Sequence, residues 1–307
     1  MLTSTPTRPA HGIFPVTVSR VTTLSPHFTR VTFSGDELAH FGDTGFDQRI
    51  KVVLPHAEHG YSRFPSDTDW WTAWRALGNE ERNVFRTYTA RAIRPAEREV
   101  DVDFVAHGDT GPASAWVSKA RVGDEMVLVG PDVRGAALGG GIEWNPAGAS
   151  TVLLAGDETA VPAISAILAQ LEPDAAGCVF LEVASDDDIL TLEAPEGIDV
   201  HWLPRASQAA TYGAPLVAAV RDWTARFVTA KHHGAALDPA SLADVDIDHD
   251  ILWEVPEGGR LTGDFYAWLA GEAGAIKTLR RFLVSEIGID RQQVAFMGYW
   301  RLGRAEN

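Results

Sequence analysis

The chain changes its hydrophobic rhythm once, across the connector GGGIEWNPAGAS (Gly139 to Ser150), and that change excludes most folds. From His11 to about Pro131, apolar and polar residues alternate in short runs. These are VTVSRVTTLSPHFTRVTFSG, split at Ser25-Pro26, then QRIKVVLP, EVDVDFVAHG and DEMVLVGP. A period of two at this spacing, punctuated by Gly and Pro, predicts antiparallel strands in a barrel or sandwich. One stretch departs from it: GYSRFPSDTDWWTAWRALGNEERN has weak periodicity and reads as a long excursion with a short helix. Beyond the connector, the buried strands TVLLAG, CVFLEVA, DVHWLP, FYAWLAG and VAFMGYW are interleaved with helical spacing in AVPAISAILAQL and EAGAIKTLRRFLVSEIG. Such alternation predicts a parallel sheet with crossover helices. LVAAVRDWTARFVTAKHHGAA reads as a peripheral helix, and no internal repeat is visible. The expectation is two domains, an antiparallel β-barrel over residues 11–140 and an α/β domain over 150–307.

Composition narrows the chemistry. The 307 residues are 45% hydrophobic and 22% charged, the balance of a soluble globular protein. A formal net charge of −16 argues against a nucleic-acid partner, because phosphate backbones need a basic surface. Cys178 is the only cysteine, which excludes an intrachain disulfide, a thiolate zinc site and an iron–sulfur cluster. It lies in an apolar run and reads as a buried structural thiol. MLTSTPTRPAHGIF has no apolar leader core, and no apolar run reaches the ~18–20 residues of a membrane span, so the expected location is the cytoplasm. Ten tryptophans are a rich supply, several of them where a packed core needs no side chain so large.

Polar residues cluster where ligands bind. FRTYTAR places Arg86, Tyr88 and Thr89 within four residues of one strand, and the turn GDTGPAS follows one hairpin later. A guanidinium clamps a pyrophosphate, a phenol stacks on a flat ring, a hydroxyl bonds a ring nitrogen, and a Gly-rich turn offers backbone N–H groups. In the second half TVLLAG runs into DETAVP, so the first strand-to-helix turn carries Asp157, Glu158, Thr159 and Ala160, with Pro162 just inside the helix. In an open parallel sheet this is the ligand end, and a helix N-terminus there suits a phosphate. The plainer reading is a simple cap by Asp157 or Thr159. No G-x-G-x-x-G fingerprint is present.

Several ordered segments together carry a resemblance: KVVLP (51–55), RTYTAR (86–91), DFVAHGDTGPASAW (103–116), AGDETAVPAI (155–164), WLAGEAGAIKTLRRFL (268–283) and GYWRLGRAE (298–306). In these the chain resembles the siderophore-interacting proteins, flavoproteins related to ferredoxin–NADP reductases. The resemblance implies an FAD-binding barrel followed by an NAD(P)-binding α/β domain. It implies that Arg86 meets the FAD phosphates, Tyr88 the isoalloxazine and Thr89 the flavin N5 edge. Asp103, Phe104, Val105 and His107 would line the ribityl and ring region, and Gly111, Pro112, Ala113 and Ser114 the pyrophosphate. Asp157 to Ala160 and Glu272 would lie at the nicotinamide nucleotide. The wider superfamily often has Gly-Thr-Gly and Cys-Gly-Pro where this chain has GDETAVP and Ala270-Gly271-Glu272, and both departures fit the siderophore branch.

The implied activity is FAD-mediated reduction of a ferric siderophore by NADPH or NADH, releasing Fe(II), with a ferredoxin as another possible donor and the protein a monomer. No side chain need act as acid or base. An anionic siderophore complex calls for local cations, for which Lys51 and Arg49 on QRIKVVLP and Arg301 and Arg304 near the C-terminus are candidates; ordinary surface charge is the alternative for each. Lys51 is expected to point to the barrel mouth. Trp300 would shield a flavin face or serve as a core side chain. Arg205, after DVHWLP, would pair with the 2′-phosphate of NADPH, while the run Asp186 to Asp188 argues against it. His232 and His233 are adjacent and read as a solvated helix end rather than metal ligands. A flavin reductase for another acceptor and a non-enzymatic siderophore binder are the alternative functions.

Overall fold

A computed structural model describes residues 9–66, 69–106, 111–135, 138, 140–231, 245–247, 250–256 and 264–304. The chain divides into two compact units, the first ending at Ile142 and the second starting at Glu143.

The first unit holds β1 (His11–Thr23), β2 (Phe28–Ser34), β3 (Arg49–Val53), β4 (Phe85–Arg94), β5 (Glu99–Val105) and β6 (Glu125–Pro131). They close into an antiparallel barrel in the order β1-β2-β5-β4-β3-β6. The period of two explains the interior, since successive side chains of a strand face opposite ways. Val16, Val18, Val31, Phe33, Ile50, Val52, Val100, Val102, Phe104, Met126 and Leu128 form one buried cluster. Helix α2 (Pro112–Val117) adds Ala113 and Val117 to it, and its Trp116 ring lies 5.6 Å from Phe104.

Strand β4 keeps one neighbour throughout and the other only in part. It pairs with β3 from Phe85 to Thr89, but with β5 only from Ala90 onward, where the register shifts between Ala90 and Ala92. The outer face of β5 also departs from simple alternation, because Asp101 and Asp103 are buried. Arg94 binds Asp101 at 2.8 Å, and Arg30 of β2 binds Asp103 through two bonds of 2.7 and 2.8 Å. Buried carboxylates are tolerable only when paired in this way.

The excursion between β3 and β4 covers the outer face of the barrel. Tyr61, Phe64, Trp70 and Phe85 pack on Val53, Val127 and Val129. The short helix is α1 (Trp70–Ala76), started by Asp69, whose side chain accepts from the Thr72 amide. Asn83, fully buried, ties the segment down by donating to the carbonyls of Leu54 (2.9 Å) and Gly60 (2.8 Å).

The second unit contains β7 (Thr151–Gly156), α3 (Val161–Leu168), β8 (Ala176–Val183), β9 (Gly197–Pro204), α4 (Arg205–Gln208), α5 (Ala214–Lys231), β10 (Trp253–Glu254), β11 (Phe265–Glu272), α6 (Ala273–Arg280) and β12 (Val294–Trp300). The sheet order is β10-β12-β11-β7-β8-β9. All pairings are parallel except that of β10, a two-residue antiparallel edge strand that periodicity is too short to reveal. FYAWLAG reads as continuously apolar because β11 lies between two neighbours and is buried on both faces. Burial pushes the Cys178 thiol up to about 12, consistent with an inert structural side chain. Among the described residues, no helix is long and apolar enough to cross a membrane.

Asn83→Ala leaves the buried Leu54 carbonyl without its donor, at a cost of about 1–3 kcal/mol, while the Gly60 carbonyl keeps the His56 amide. The variant is expected to unfold at lower temperature, and limited proteolysis is expected to cut first between residues 56 and 84.

Candidate functional site

Where β4 leaves β5, the barrel wall opens. Beyond the Ala90–Val102 pair, residues 87–89 and 103–105 face each other with no ladder between them. Tyr88, Thr89 and Asp103 to Val105 belong to these two stretches. Arg86 and Tyr88 sit opposite Val52 and Ile50, so they share the inward face of β4. The half-buried Tyr88 ring leans on Phe104 with centroids 4.5 Å apart, bridging the parted strands. Arg86 donates from Nη1 to the Phe85 carbonyl at 2.9 Å. Thr89 is buried on the opposite face, across from Arg49. The Asp103 carboxylate is held by Arg30, with Arg91 at 3.9 Å. Phe104 belongs to the barrel core and Val105 is nearly buried at the strand end. His107 lies outside the described residues.

The residues present fit a flat group carrying phosphates. Gly111 is the N-cap of α2, no side chain caps that helix, and Pro112 occupies its first turn. A helix start leaves N–H groups without intrahelical partners, here including those of Ala113 and Ser114. A Cβ on Gly111 would meet nothing within 4 Å, so packing does not demand glycine there; a backbone open to close approach does explain it. An aromatic ring, a guanidinium and open amides thus come from β4 and α2, two elements resting on one core.

In the second unit the strand ends hold a dense charge cluster. Asp157 follows β7 and its carboxylate accepts four hydrogen bonds: from the Thr159 amide (2.9 Å) and hydroxyl (2.5 Å), the Glu272 amide (2.7 Å) and the Trp300 indole (2.8 Å). It therefore ties the ends of β7, β11 and β12 together. Burial, with Glu158 adjacent, pushes this carboxyl up to about 7 against the pull of Thr159 and Trp300. Gly271 is required beside it: φ is +147° and a Cβ would stand 2.6 Å from Asp157 Oδ2. Neither Asp157 nor Thr159 caps α3, whose N-cap is Ala160 with no side-chain bond, so the simple-cap reading is corrected. Glu272 instead caps α6, accepting from the Ala275 amide at 2.9 Å.

Glu158 turns to Arg205, which grips it through two bonds of 2.8 Å and reaches Glu182 at 3.2 Å. Tyr212 donates its hydroxyl to Glu158 Oε1, which also accepts from Arg205 Nη2, and the guanidinium lies 3.7 Å over the Tyr212 ring. Burial alone would raise Glu158, but Arg205 and Tyr212 hold it below the ordinary carboxylate range. Glu182 is raised, chiefly by burial, and accepts from the Gly213 (2.8 Å) and Leu216 (3.0 Å) amides at the start of α5. Arg205 is thus a buried keystone, its side chain only 11% exposed, and its fork is not presented to a 2′-phosphate. Asp188 is likewise turned inward onto Ser185 (2.9 Å), leaving Asp186 and Asp187 exposed.

A groove opens beside the cluster. A groove of about 500 Å³ runs between the first turns of α5 and α6, bordered by Tyr212, Gly213, Val217, Glu272, Gly274 and Thr278. Sequence reasoning missed it except for Glu272, although Tyr212-Gly213, immediately before the long helix α5, is the signal that would have pointed there. The other candidates scatter. Lys51 alternates with the inward Ile50 and Val52 and so lies on the barrel's outer face rather than at its mouth, donating to Thr87 Oγ1 at 2.7 Å. Arg49, opposite Thr89, is bonded through its amide to the Gly141 carbonyl (2.8 Å). Trp300 is half-buried, its indole committed to Asp157 and its ring edge-on to Tyr212. Arg301 and Arg304 form a turn after β12. His232 and His233 lie outside the described residues.

A closed antiparallel barrel with an opened wall, followed by a mostly parallel sheet with a ligand-sized groove at its carboxyl end, has the fold of the ferredoxin reductases. One such structure, a ferredoxin NADP+ reductase from Neisseria gonorrhoeae with bound FAD and NADP, superposes with a TM-score of 0.56 at 12% identity, covering 94% of this chain and 99% of that one. More specifically, the chain belongs to the siderophore-interacting protein family. Residues 17–135 match the siderophore-interacting FAD-binding domain and residues 149–303 the siderophore-interacting protein family. An uncharacterized protein of Mycobacterium tuberculosis is 34% identical over 97% of this chain and 93% of its own length. The ferric vibriobactin reductase of Vibrio cholerae is 29% identical over 92% and 87%. The siderophore-interacting protein SipS of Aeromonas hydrophila superposes with a TM-score of 0.67 at 26% identity, covering 97% and 94%.

Arg205→Leu would strand the buried Glu158 and Glu182, and breaking a buried pair on one side costs about 3–5 kcal/mol. The expected result is a lower unfolding midpoint in urea, with the ratio of NADPH to NADH activity unchanged in whatever protein remains folded.

Proposed function

We propose that this protein is a ferric-siderophore reductase, passing electrons from NAD(P)H through FAD to an Fe(III)–siderophore complex and so releasing Fe(II). The observation that carries this reading is the release of β4 from β5 beyond Ala90–Val102, with Tyr88 leaning on Phe104 across the gap and Arg86 on the same face of β4. Membership of the siderophore-interacting family, and a relative named as a ferric vibriobactin reductase, supply the substrate. In this reading residues 11–140 are the FAD domain and 150–307 the NAD(P)-binding domain.

FAD, when bound, supplies the conversion between a two-electron hydride donor and a one-electron metal acceptor. The chain's part is binding and orientation. Arg86 and the amides of Ala113 and Ser114 take the phosphates, Tyr88 takes one ring face, and the backbone edges of residues 87–89 and 103–105 take the polar rim of the ring. The groove bordered by Tyr212, Gly213 and Glu272 receives the nicotinamide nucleotide. Hard oxygen donors hold Fe(III) far better than Fe(II), so reduction alone loosens the complex and no protein acid or base is required. A reduced ferredoxin is the second donor to test. The protein acts as a monomer in the cytoplasm, where the nicotinamide pool is kept reduced.

The test is anaerobic. Purified protein is expected to carry FAD; NADPH or NADH is expected to bleach it, and a ferric siderophore to restore its colour as a ferrous chelator reports iron. A colourless protein that binds ferric siderophore without FAD would overturn the reductase in favour of a carrier. Arg86→Ala is expected to weaken FAD binding roughly 10- to 150-fold, the equivalent of about 1.5–3 kcal/mol for a charge-assisted contact. Full flavin retention by that variant would move the phosphate site elsewhere.

A further inference from the structure

Asp157 is a buried carboxyl with no cation bonded to it. It is 2% exposed, and its donors are all neutral: the Thr159 amide and hydroxyl, the Glu272 amide and the Trp300 indole. The ionisable groups around it are Glu158 on its own turn, Arg205 and Tyr212 ahead of α5, and Glu272 at the end of β11, with Arg301 next in the chain after Trp300. Arg205 is committed to Glu158 and Glu182, so Glu158 stays charged and Asp157 faces that charge from within the protein. Neighbouring carboxyls in such unequal settings do not ionise together. Asp157, pushed up to about 7, is the one that changes charge near neutral pH.

Its surroundings accept both states. A hydroxyl can donate or accept. With Asp157 ionised, Thr159 donates to Oδ1 at 2.5 Å; with Oδ1 protonated, the same hydroxyl turns to accept. Oδ2 keeps the Glu272 amide (2.7 Å) and the Trp300 indole (2.8 Å) in either state. The ends of β7, β11 and β12 therefore stay tied while the charge between them changes. That charge stands behind the border of the groove. Glu272, whose amide Asp157 holds, borders the groove, and so does Tyr212, which meets Trp300 at 5.0 Å. An anion in the groove meets the Asp157 charge through packed protein rather than water, where repulsion is strong.

We propose that the groove binds its nucleotide together with a proton, taken from solvent by Asp157. The carboxylate becomes a carboxylic acid as the phosphates arrive and gives the proton back when they leave. This linkage rests on the reading of the groove as the nicotinamide-nucleotide site.

FAD-loaded protein is titrated with NAD+ and with NADP+ by calorimetry, in buffers of different ionisation enthalpy. Binding is expected to be roughly three- to tenfold tighter at about pH 6 than at about pH 8, with about half a proton taken up per site near neutrality. Asp157→Asn keeps the shape and fixes the neutral state. It is expected to bind both nucleotides as tightly at the higher pH as the wild type does at the lower, and to take up about half a proton less. Any titration of the nucleotide itself cancels in that comparison, and a gain in affinity cannot come from lost folding.

A second measurement needs no ligand. Between about pH 4 and about pH 7 the folded chain holds a proton that the unfolded chain has released. That contribution to stability is full below the unfolded value and is lost as pH rises through the folded one. The urea midpoint of the wild type is expected to fall between about pH 6 and about pH 8 by more than that of Asp157→Asn. Midpoints that fall alike, or nucleotide affinities with the same pH dependence in both proteins, would overturn the linkage and leave the groove reading standing. No binding of either nucleotide at either pH would sink the groove reading and the linkage with it.

Discussion

A strand in a closed barrel normally bonds both neighbours, and β4 does not. It holds β3 from Phe85 to Thr89 while β5 has already parted from it. Backbone groups left unpaired at such an edge are costly unless something else satisfies them. The side chains around the gap have partners of their own. The register shift between Ala90 and Ala92 turns the strand away, and Arg30 draws Asp103 toward β2. Tyr88 spans the opening from the inner side against Phe104.

The second unit solves a related problem with charge. The carboxyl ends of parallel strands collect loops, and here those loops carry Asp157, Glu158, Glu182 and Arg205, all largely removed from water. One guanidinium between two carboxylates, with Tyr212 beneath it and the α5 amides beyond, leaves none of these groups without a partner. The Asp157 carboxylate does the same for β7, β11 and β12. Helix α5 begins where Glu182 accepts its first amides and α6 begins at Glu272, so the cluster also sets the two helix starts that flank the groove. Acidic residues that look like ligands in the sequence are the frame around the ligand space.

The excursion shows how a short helix is fastened to a barrel wall. Trp70, Trp74 and Asn83 hold it in place. Trp71 is left to face outward.

Much of the architecture was legible in the residues. The period of two before Gly139 and the strand–helix alternation after Ser150 encode the barrel and the parallel sheet, because each period decides which side chains can be buried together. The chemistry of FRTYTAR is similarly local, and its Tyr88 stands where β4 parts from β5. What local pattern cannot encode is the partner of a side chain. Arg205 reads as a phosphate ligand until the fold brings Glu158 and Glu182 to it, residues 47 and 23 positions away. Lys51 reads as a barrel-mouth cation until its strand neighbours turn inward. Charged side chains seek the nearest opposite charge or donor in space, and only tertiary structure decides which one that is.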